Sequence, residues 1–148
     1  MDTISVFGAQ YLWILSPFLA LWYFLKLSKE KRKEFLICAC VILPIAFLLG
    51  LLAKQLWLNP SPINPGENGF PSDHTLLIAT LAALIMLFNK KLSVWLWIIA
   101  AIVASSRVYV GEHHLIDVIG SIVIALISAG IAYAIIRHIW NHNKTQNN

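Results

Sequence analysis

Five apolar runs, separated by short polar segments, limit the folds that are open to this chain. A helix needs roughly 17 to 25 mainly apolar residues to cross a bilayer, and only helices and closed barrels satisfy their backbone polar groups there. The third run is short, which predicts that its outer end continues through residues 72–74 or lies in a recess covered by protein. The predicted spans cover residues 10–27, 35–53, 75–88, 94–109 and 115–136.

The composition agrees with this class. Hydrophobic residues make up 59% and charged residues 12% of the 148, whereas a soluble domain carries roughly 25% charged residues. We therefore expect one all-α domain over residues 1–148, a polytopic transmembrane helical bundle of about five spans. A nucleic-acid partner is not expected despite the net charge of +4, because the basic residues lie in short loops and form no stripe with interleaved aromatics.

The lysine and arginine residues are divided unevenly between the two ends of the predicted spans. Nine of the eleven fall on one side, which the positive-inside rule makes cytoplasmic. This predicts a multi-pass protein of the cell membrane with its N-terminus outside and its C-terminus in the cytoplasm. The nine residues are Lys26, Lys29, Lys31, Arg32, Lys33, Lys90, Lys91, Arg137 and Lys144.

The other two cations, Lys54 and Arg107, lie on the non-cytoplasmic side with most of the histidines and carboxylates. Three segments meet there: residues 54–62 after the second span, 70–74 before the third, and 106–117 between the fourth and fifth. Lysine and arginine are normally rare on the non-cytoplasmic side, so these two residues indicate that an anion is bound there. This face is therefore the candidate site.

The three segments carry groups suited to binding phosphate. Arg107 holds a phosphate with two parallel hydrogen bonds, and Lys54 adds a point charge. Ser72 is placed to cap a helix that begins at Asp73, so a phosphate nearby would meet free backbone N–H groups and the positive end of the helix dipole. The chemistry that fits such a site is phosphoryl transfer.

The spacing in residues 106–117 supplies a nucleophile. With His113 in the first turn of the fifth span, Asp117 lies one turn further along the same face and accepts a hydrogen bond from one imidazole nitrogen. The other nitrogen is then an unprotonated attacker. His74, on a facing helix, is the candidate general acid for the leaving oxygen. The predicted reaction passes through a phosphohistidine that water hydrolyses, and it needs no metal or other cofactor.

Simpler roles are expected for the neighbours of the nucleophile. His114 is expected to be a polar residue of the membrane interface, with a headgroup contact as the alternative, and Glu112 is expected to be a solvated loop charge. A zinc site built from the histidines and Asp117 is disfavoured, because His113 and His114 point apart on a helix and Arg107 would oppose a cation.

Two of the segments resemble the motifs of a known family. Residues 106–117 match S-R-x5-H-x3-D throughout, and residues 71–74 resemble P-S-G-H with Asp73 in the place of the glycine. Over about residues 54–132 the chain resembles the type 2 phosphatidic acid phosphatase (PAP2) superfamily. Within it, the chain is most similar to the bacterial undecaprenyl-diphosphate phosphatases of the bacitracin-resistance type.

The resemblance implies a metal-independent membrane phosphatase, with undecaprenyl diphosphate, a polyprenyl diphosphate, as the expected substrate. It implies His113 as the nucleophile, Asp117 as its partner and His74 as the acid. Together with the motif positions, it gives a predicted phosphate site of Lys54, Ser72, Asp73, Ser106 and Arg107.

The chain departs from the family pattern at the first motif. The family has K-x6-R-P, and here Lys54 is followed at the right distance by Ser61-Pro62, so one arginine is absent. Asn59 or Ser61 offers a hydrogen bond there without the charge. The family core usually has six spans where five are predicted here. The short loop 59–71 favours a small headgroup.

Several functions remain open beside the expected one. A phosphatidic acid or phosphatidylglycerophosphate phosphatase, a lipid A phosphatase and a phosphotransferase fit the same residues. A lipid-binding protein with weak catalysis is left open by the absent arginine. A proton-coupled transporter is disfavoured, because the polar groups cluster at one face and form no path across the spans. The sequence leaves the oligomeric state open.

Overall fold

The computed structural model describes residues 11–146, with side chains up to residue 138. A 3-10 turn, Leu12–Ile14, leads into the first of five helices, and the described residues contain no β-strand. This confirms the predicted all-α bundle. The helices are α1, Leu15–Lys26; α2, Lys29–Leu56; α3, Asp73–Met86; α4, Lys90–Tyr109; and α5, Leu115–Gln146.

The helices differ in their capacity to cross a membrane. Among the residues that the structure describes, α2, α4 and residues Leu115–His138 of α5 are long and apolar enough to do so. Leu12–Lys26 and α3 are shorter apolar helices. The fourteen residues of α3 extend about 21 Å, less than the roughly 30 Å of a hydrocarbon core. The five predicted runs are thus helices, three of them of full spanning length.

The short helix α3 is enclosed by the rest of the bundle. Ten of its fourteen residues are buried, and it contacts each of the other four helices. The third run thus continues as helix through Asp73 and His74, as one of the two predicted alternatives has it, and its burial agrees with the other. The surrounding helices carry exposed apolar side chains such as Phe47 on α2 and Leu126 on α5. In a bilayer these side chains meet lipid, as expected of a polytopic bundle.

Polar caps fix where two of the long helices begin. Ser28 Oγ accepts a hydrogen bond from the backbone N–H of Lys31 at the start of α2 (3.4 Å). Asn89 Oδ1 accepts one from the backbone N–H of Leu92 at the start of α4 (3.0 Å). Such caps satisfy N–H groups that have no partner within the helix. The opposite ends of α2 and α4 then meet the first turns of α3 and α5.

Small residues let α5 pack closely on its neighbours. Ser121, Ala125 and Ala132 on α5 are fully buried. A Cβ atom at Gly120 would collide with the ring of Phe70. Phe70 lies just before α3, so this contact fixes the segment that leads into α3 against α5.

Asn68 organises the loop that joins α2 to α3. Its Oδ1 accepts hydrogen bonds from the backbone N–H groups of Asn59 (3.0 Å) and Phe70 (3.1 Å). Its Nδ2 donates to the carbonyls of Lys54 (2.8 Å) and Trp57 (3.0 Å). One side chain thus ties the loop to the end of α2, next to the candidate site.

Candidate active site

An open pocket of about 620 Å³ lies where the ends of α2 and α4 meet the starts of α3 and α5. Five of the residues predicted from the sequence line it together. Among the described residues, no group of three or more His, Cys, Asp or Glu side chains is arranged to hold a metal ion. The five predicted residues are Lys54, Asp73, His74, Arg107 and His113.

A backbone carbonyl, rather than a carboxylate, holds the imidazole of His113. Its Nδ1 lies 2.9 Å from the carbonyl oxygen of Gly69 and 3.7 Å from Asp117 Oδ2. The predicted hydrogen bond to Asp117 is therefore wrong, because α5 begins only at Leu115 and His113 precedes the helix. A carbonyl only accepts, so Nδ1 carries the proton and Nε2 keeps its lone pair.

The turn that carries His113 depends on a glycine. Gly111 has a φ of +79°, a conformation that residues with a Cβ rarely adopt. The turn folds back on α4, where the carbonyl of Arg107 accepts the backbone N–H groups of Glu112 (3.1 Å) and His113 (3.3 Å). His113 and Arg107 are thereby kept next to each other.

Asp117 is fully buried and joins the two loops of the site. Its Oδ2 accepts the backbone N–H of His114 (2.7 Å), and its Oδ1 accepts Asn59 Nδ2 (2.6 Å). Because one loop carries Gly69 and the other His113, Asp117 positions the imidazole through both loops. A buried carboxylate with such hydrogen bonds is a strong acceptor.

Burial lowers the pKa of the His113 imidazole, and the nearby Arg107 guanidinium lowers it further. The Gly69 carbonyl and the carboxylates of Asp117 and Glu112 oppose this shift and do not overcome it. His113 is therefore neutral over a wider pH range than an ordinary histidine, as an attacking nitrogen must be.

We expect the His113 ring to titrate below the ordinary histidine value of about 6.5. The neutral, nucleophilic form is then present above the lowered pKa and is lost as the pH falls through it. ¹⁵N-histidine NMR of the protein in detergent micelles measures this directly, and the His113→Ala variant assigns the resonance. A ring that titrates at or above the ordinary value would contradict the role of burial.

His74 lies in the first turn of α3 and lines the same pocket. Its Nδ1 is buried and makes no hydrogen bond to the described part of the chain. Its ring packs edge-on against Trp13, with centroids 4.8 Å apart and an interplanar angle of 71°. The contact of Trp13 with His74 was not predicted from the sequence, because a tryptophan near a span end is usually an interfacial anchor.

Both cations of the pocket are paired with carboxylates. Lys54 Nζ lies 2.7 Å from Asp73 Oδ2, and Arg107 Nη1 lies 2.5 Å from Glu112 Oε2. The prediction that Glu112 is a solvated loop charge is wrong, because the turn at Gly111 directs it to Arg107. Asp73, predicted in the phosphate site, is placed there as the partner of a cation.

The two serines predicted to bind phosphate do not line this pocket. Ser72 precedes α3, but its fully buried Oγ accepts from Thr75 Oγ1 (3.1 Å) and caps no backbone N–H group. The predicted side-chain cap is therefore wrong. Ser106 lies in the last turn of α4, where its carbonyl accepts the N–H of Val110 (2.9 Å). A contact of either serine with phosphate stays a prediction.

Neither residue expected to substitute for the absent arginine is available for that purpose. Asn59 donates to Asp117, and Ser61 Oγ donates to the carbonyl of Glu112 (2.8 Å). Both side chains fasten loops to each other. The pocket therefore holds two cations where the family pattern supplies three.

An apolar groove of about 250 Å³ runs between α2 and α3 and ends at the Lys54–Asp73 pair. Its lining includes Phe47, Gly50 and Leu77. The groove and the polar pocket share Lys54 and Asp73. An apolar channel thus leads to the cations of the site.

Comparisons with known proteins agree with the motifs. The family model described as the PAP2 superfamily matches residues 53–141, more than half of the chain. A bacitracin transport permease protein, BcrC, of Bacillus licheniformis is 29% identical over 142 residues, covering 87% of this chain and 68% of the relative. No solved structure matches the chain significantly.

Two further relatives carry an enzyme name. An undecaprenyl-diphosphatase of Sulfolobus acidocaldarius is 34% identical over 134 residues, covering 80% of this chain and 61% of the relative. The undecaprenyl-diphosphatase BcrC of Bacillus subtilis is 28% identical over 139 residues, covering 86% of this chain and 70% of the relative. The chain thus spans 61% to 70% of the length of these three relatives. The suspected resemblance is confirmed: the chain belongs to the PAP2 superfamily and is a PAP2-type phosphatase built as a multi-pass membrane protein.

Proposed function

We propose that this chain hydrolyses a polyprenyl diphosphate, of the undecaprenyl type, to the monophosphate through a phosphohistidine at His113. The observation that carries the proposal is the hydrogen bond between His113 Nδ1 and the Gly69 carbonyl. It leaves Nε2 with a lone pair in a pocket shared with Arg107 and Lys54. Nucleophile and phosphate-binding cations therefore share one site.

The first step transfers the terminal phosphoryl group to the enzyme. His113 Nε2 attacks the terminal phosphorus, an N–P bond forms, and the bond from phosphorus to the bridging oxygen breaks. In the free protein, burial and the nearby Arg107 lower the pKa of His74 to about 4. The bound anionic diphosphate raises this pKa and favours the protonated imidazole, and the lipid monophosphate departs with the proton of His74. Arg107 and Lys54 stabilise the charge on the equatorial oxygens, and the first-turn N–H groups of α3 lie close by.

The second step regenerates the enzyme. Water attacks the phosphorus, the N–P bond breaks, and His74, now neutral, takes a proton from the water. Orthophosphate leaves, and His113 is again held by the Gly69 carbonyl. Each step uses only side chains of the pocket and water.

The apolar groove supports a lipid substrate. Lys54 lies at the end of the groove, so a headgroup phosphate at Lys54 leaves a hydrocarbon chain free to follow α2 and α3. A volume of about 250 Å³ suits one chain better than two. The names of the Sulfolobus acidocaldarius and Bacillus subtilis relatives point to the same substrate class.

The distribution of charge supports an active site on the non-cytoplasmic face. The pocket lies at the end of the bundle opposite to the basic loops that begin α2 and α4. Basic loops remain in the cytoplasm. Intact cells that express the chain would then release phosphate from an added polyprenyl diphosphate, whereas a cytoplasmic site would require lysis.

A substrate panel tests the proposed reaction. Phosphate release by the purified protein in detergent is compared for undecaprenyl diphosphate, phosphatidic acid, phosphatidylglycerophosphate and lipid A. We expect the highest kcat/KM for undecaprenyl diphosphate and no effect of EDTA. No release from any of the four would contradict the enzymatic proposal, a higher value for another lipid would replace the substrate, and loss of activity in EDTA would contradict the metal-free mechanism.

Blocking the groove should weaken binding of long-chain substrate alone. Gly50 lines the groove, and a Cβ atom there would lie 2.8 Å from Leu76 Cδ2, the movable end of a side chain. For Gly50→Val we expect KM for undecaprenyl diphosphate to rise about tenfold, the equivalent of roughly two buried methylenes. Hydrolysis of a water-soluble, short-chain diphosphate should be unchanged.

Gly130→Val is the matched control for this variant. Gly130 also lies within a long helix, but nothing lies within 4 Å of a Cβ atom placed there. The two variants therefore share the change in helix propensity and differ in the groove. An equal KM for the two variants would contradict the assignment of the groove to the lipid chain.

A further inference from the structure

Each cation of the active-site pocket has a carboxylate partner within the chain, and the two pairs differ in burial. The side chains of Arg107 and Glu112 are 12% and 24% exposed, and those of Lys54 and Asp73 are 33% and 68% exposed. A partly desolvated ion pair is stronger than one at the surface. The Arg107–Glu112 pair is therefore the stronger of the two.

The position of Glu112 is fixed by the chain around it. Its backbone N–H donates to the Arg107 carbonyl (3.1 Å), and its own carbonyl accepts from Ser61 Oγ (2.8 Å). Ser61 stands where the first motif of the family has an arginine. The chain therefore lacks the cation of this motif position. Ser61, which takes its place, holds the backbone of Glu112, and the carboxylate of Glu112 pairs with Arg107.

A phosphate that binds Arg107 or Lys54 must compete with these carboxylates. Glu112 and Asp73 each present an anionic oxygen to the cation that a phosphate would use. The carboxylate must be separated from its cation before a phosphate binds, and this separation costs free energy. Lipid-linked and free phosphate therefore both bind more weakly than they would without the carboxylate. A lipid substrate is also held by its hydrocarbon chain, whereas orthophosphate has no other source of affinity.

We propose that Glu112 and, more weakly, Asp73 are internal competitors of phosphate that set its affinity and speed the release of orthophosphate. This rests on the proposed function only in that phosphate binds at Arg107 and Lys54. After the phosphohistidine is hydrolysed, Glu112 returns to Arg107 and Asp73 to Lys54, so that orthophosphate does not remain in the site. The two carboxylates thereby limit inhibition by product.

Direct binding of inorganic phosphate tests the proposal without a lipid substrate. Isothermal titration of the full chain in detergent gives the Kd of orthophosphate for the wild type, Glu112→Gln and Asp73→Asn. We expect Kd to fall about tenfold in Glu112→Gln, since charge pairs close to a binding site are strongly coupled to it. For the more exposed Asp73 we expect a fall of about threefold.

Glu67→Gln is the matched control. Glu67 lines the same pocket, and no hydrogen bond or ion pair of its carboxylate is present in the described part of the chain. Its Kd for orthophosphate should equal that of the wild type within about twofold. Glu67→Gln removes one negative charge from the pocket without removing the partner of a cation. It therefore shows whether a lower Kd comes from the loss of a paired carboxylate or from the change in net charge alone.

The sign of the change decides between competition and simple positioning of Arg107. If Glu112 only orients Arg107, Glu112→Gln raises Kd for orthophosphate and raises KM for lipid, which would overturn the proposal. Competition predicts that KM and kcat fall together, because substrate binds more tightly and orthophosphate leaves more slowly.

Other outcomes are also decisive. Equal Kd values for Glu112→Gln and the wild type would overturn the competition and leave the phosphate site of the proposed function standing. Absence of orthophosphate binding in all variants would contradict both proposals.

Discussion

Replacing His113 by alanine is expected to lower phosphate release from undecaprenyl diphosphate by at least about a thousandfold, because the covalent route is lost with its nucleophile. The fold should persist, since the only hydrogen bond that the imidazole makes in the described part of the chain is to the Gly69 carbonyl. Water then reaches that carbonyl in the variant. The measurement is kcat in detergent, with thermal unfolding as the check on folding.

His114→Ala is the control for this variant. His114 is the next residue and is exposed, and only its backbone contributes to the site: its N–H donates to Asp117 Oδ2, and its carbonyl accepts the N–H of Asp117. Its activity should stay close to that of the wild type. Retention of more than about a tenth of the activity by His113→Ala would exclude His113 as the nucleophile. An acid-labile phosphoryl adduct that forms on the wild type and not on His113→Ala would support the intermediate.

The second large effect is expected for Arg107→Lys, which keeps the charge and removes the planar fork. A lysine ammonium cannot make two parallel hydrogen bonds to a phosphoryl group. We expect kcat/KM to fall about a hundredfold, the usual cost of losing one donor to a transition-state oxygen. The ion pair with Glu112 should be retained, so thermal stability should change little.

Arg137→Lys controls for the exchange of residue type. Arg137 is exposed and lies on α5 about six turns from Leu115, where that helix begins at the site. Its activity should equal that of the wild type. An Arg107→Lys variant with wild-type kcat/KM would mean that Arg107 acts by charge alone, and the fork would then play no part in catalysis.

The helices could be predicted from the sequence because their signals are local and repeated. Runs of apolar residues indicated all five, and the caps at Ser28 and Asn89 follow ordinary preferences. The shortness of α3 was visible in the sequence, and its enclosure explains it. The ends of the helices were less accurate. For example, α2 begins at Lys29 and ends at Leu56, since charged residues extend the helix beyond its apolar part.

The candidate site could be predicted where a motif position determines the residue. His113, His74 and Arg107 were expected together and line one pocket. The contacts of the two loops could not be predicted in the same way. That Gly69 holds His113 and that Asn68 organises its loop depend on backbone paths without periodicity. Such paths leave no pattern of spacing in the sequence.

The remaining errors concern charge and capping. Glu112 looked like a solvated loop residue because its partner, Arg107, is brought near only by the turn at Gly111. Ser72 has the sequence position of a helix cap, yet its buried hydroxyl accepts a hydrogen bond from Thr75 Oγ1 and caps no backbone N–H group. Tertiary packing determines the environments of Glu112 and Ser72, and local sequence preference does not.

The buried Asp117 couples the stability of one loop of the site to that of the other. Its hydrogen bonds to Asn59 and His114 lie between segments that have little apolar core of their own. If one loop opened, a buried carboxylate would lose a partner at a cost of several kcal/mol. The loops therefore unfold as a single cooperative unit. Amide exchange in residues 57–72 and 110–114 should then share one opening free energy, so that the catalytic geometry is either complete or absent.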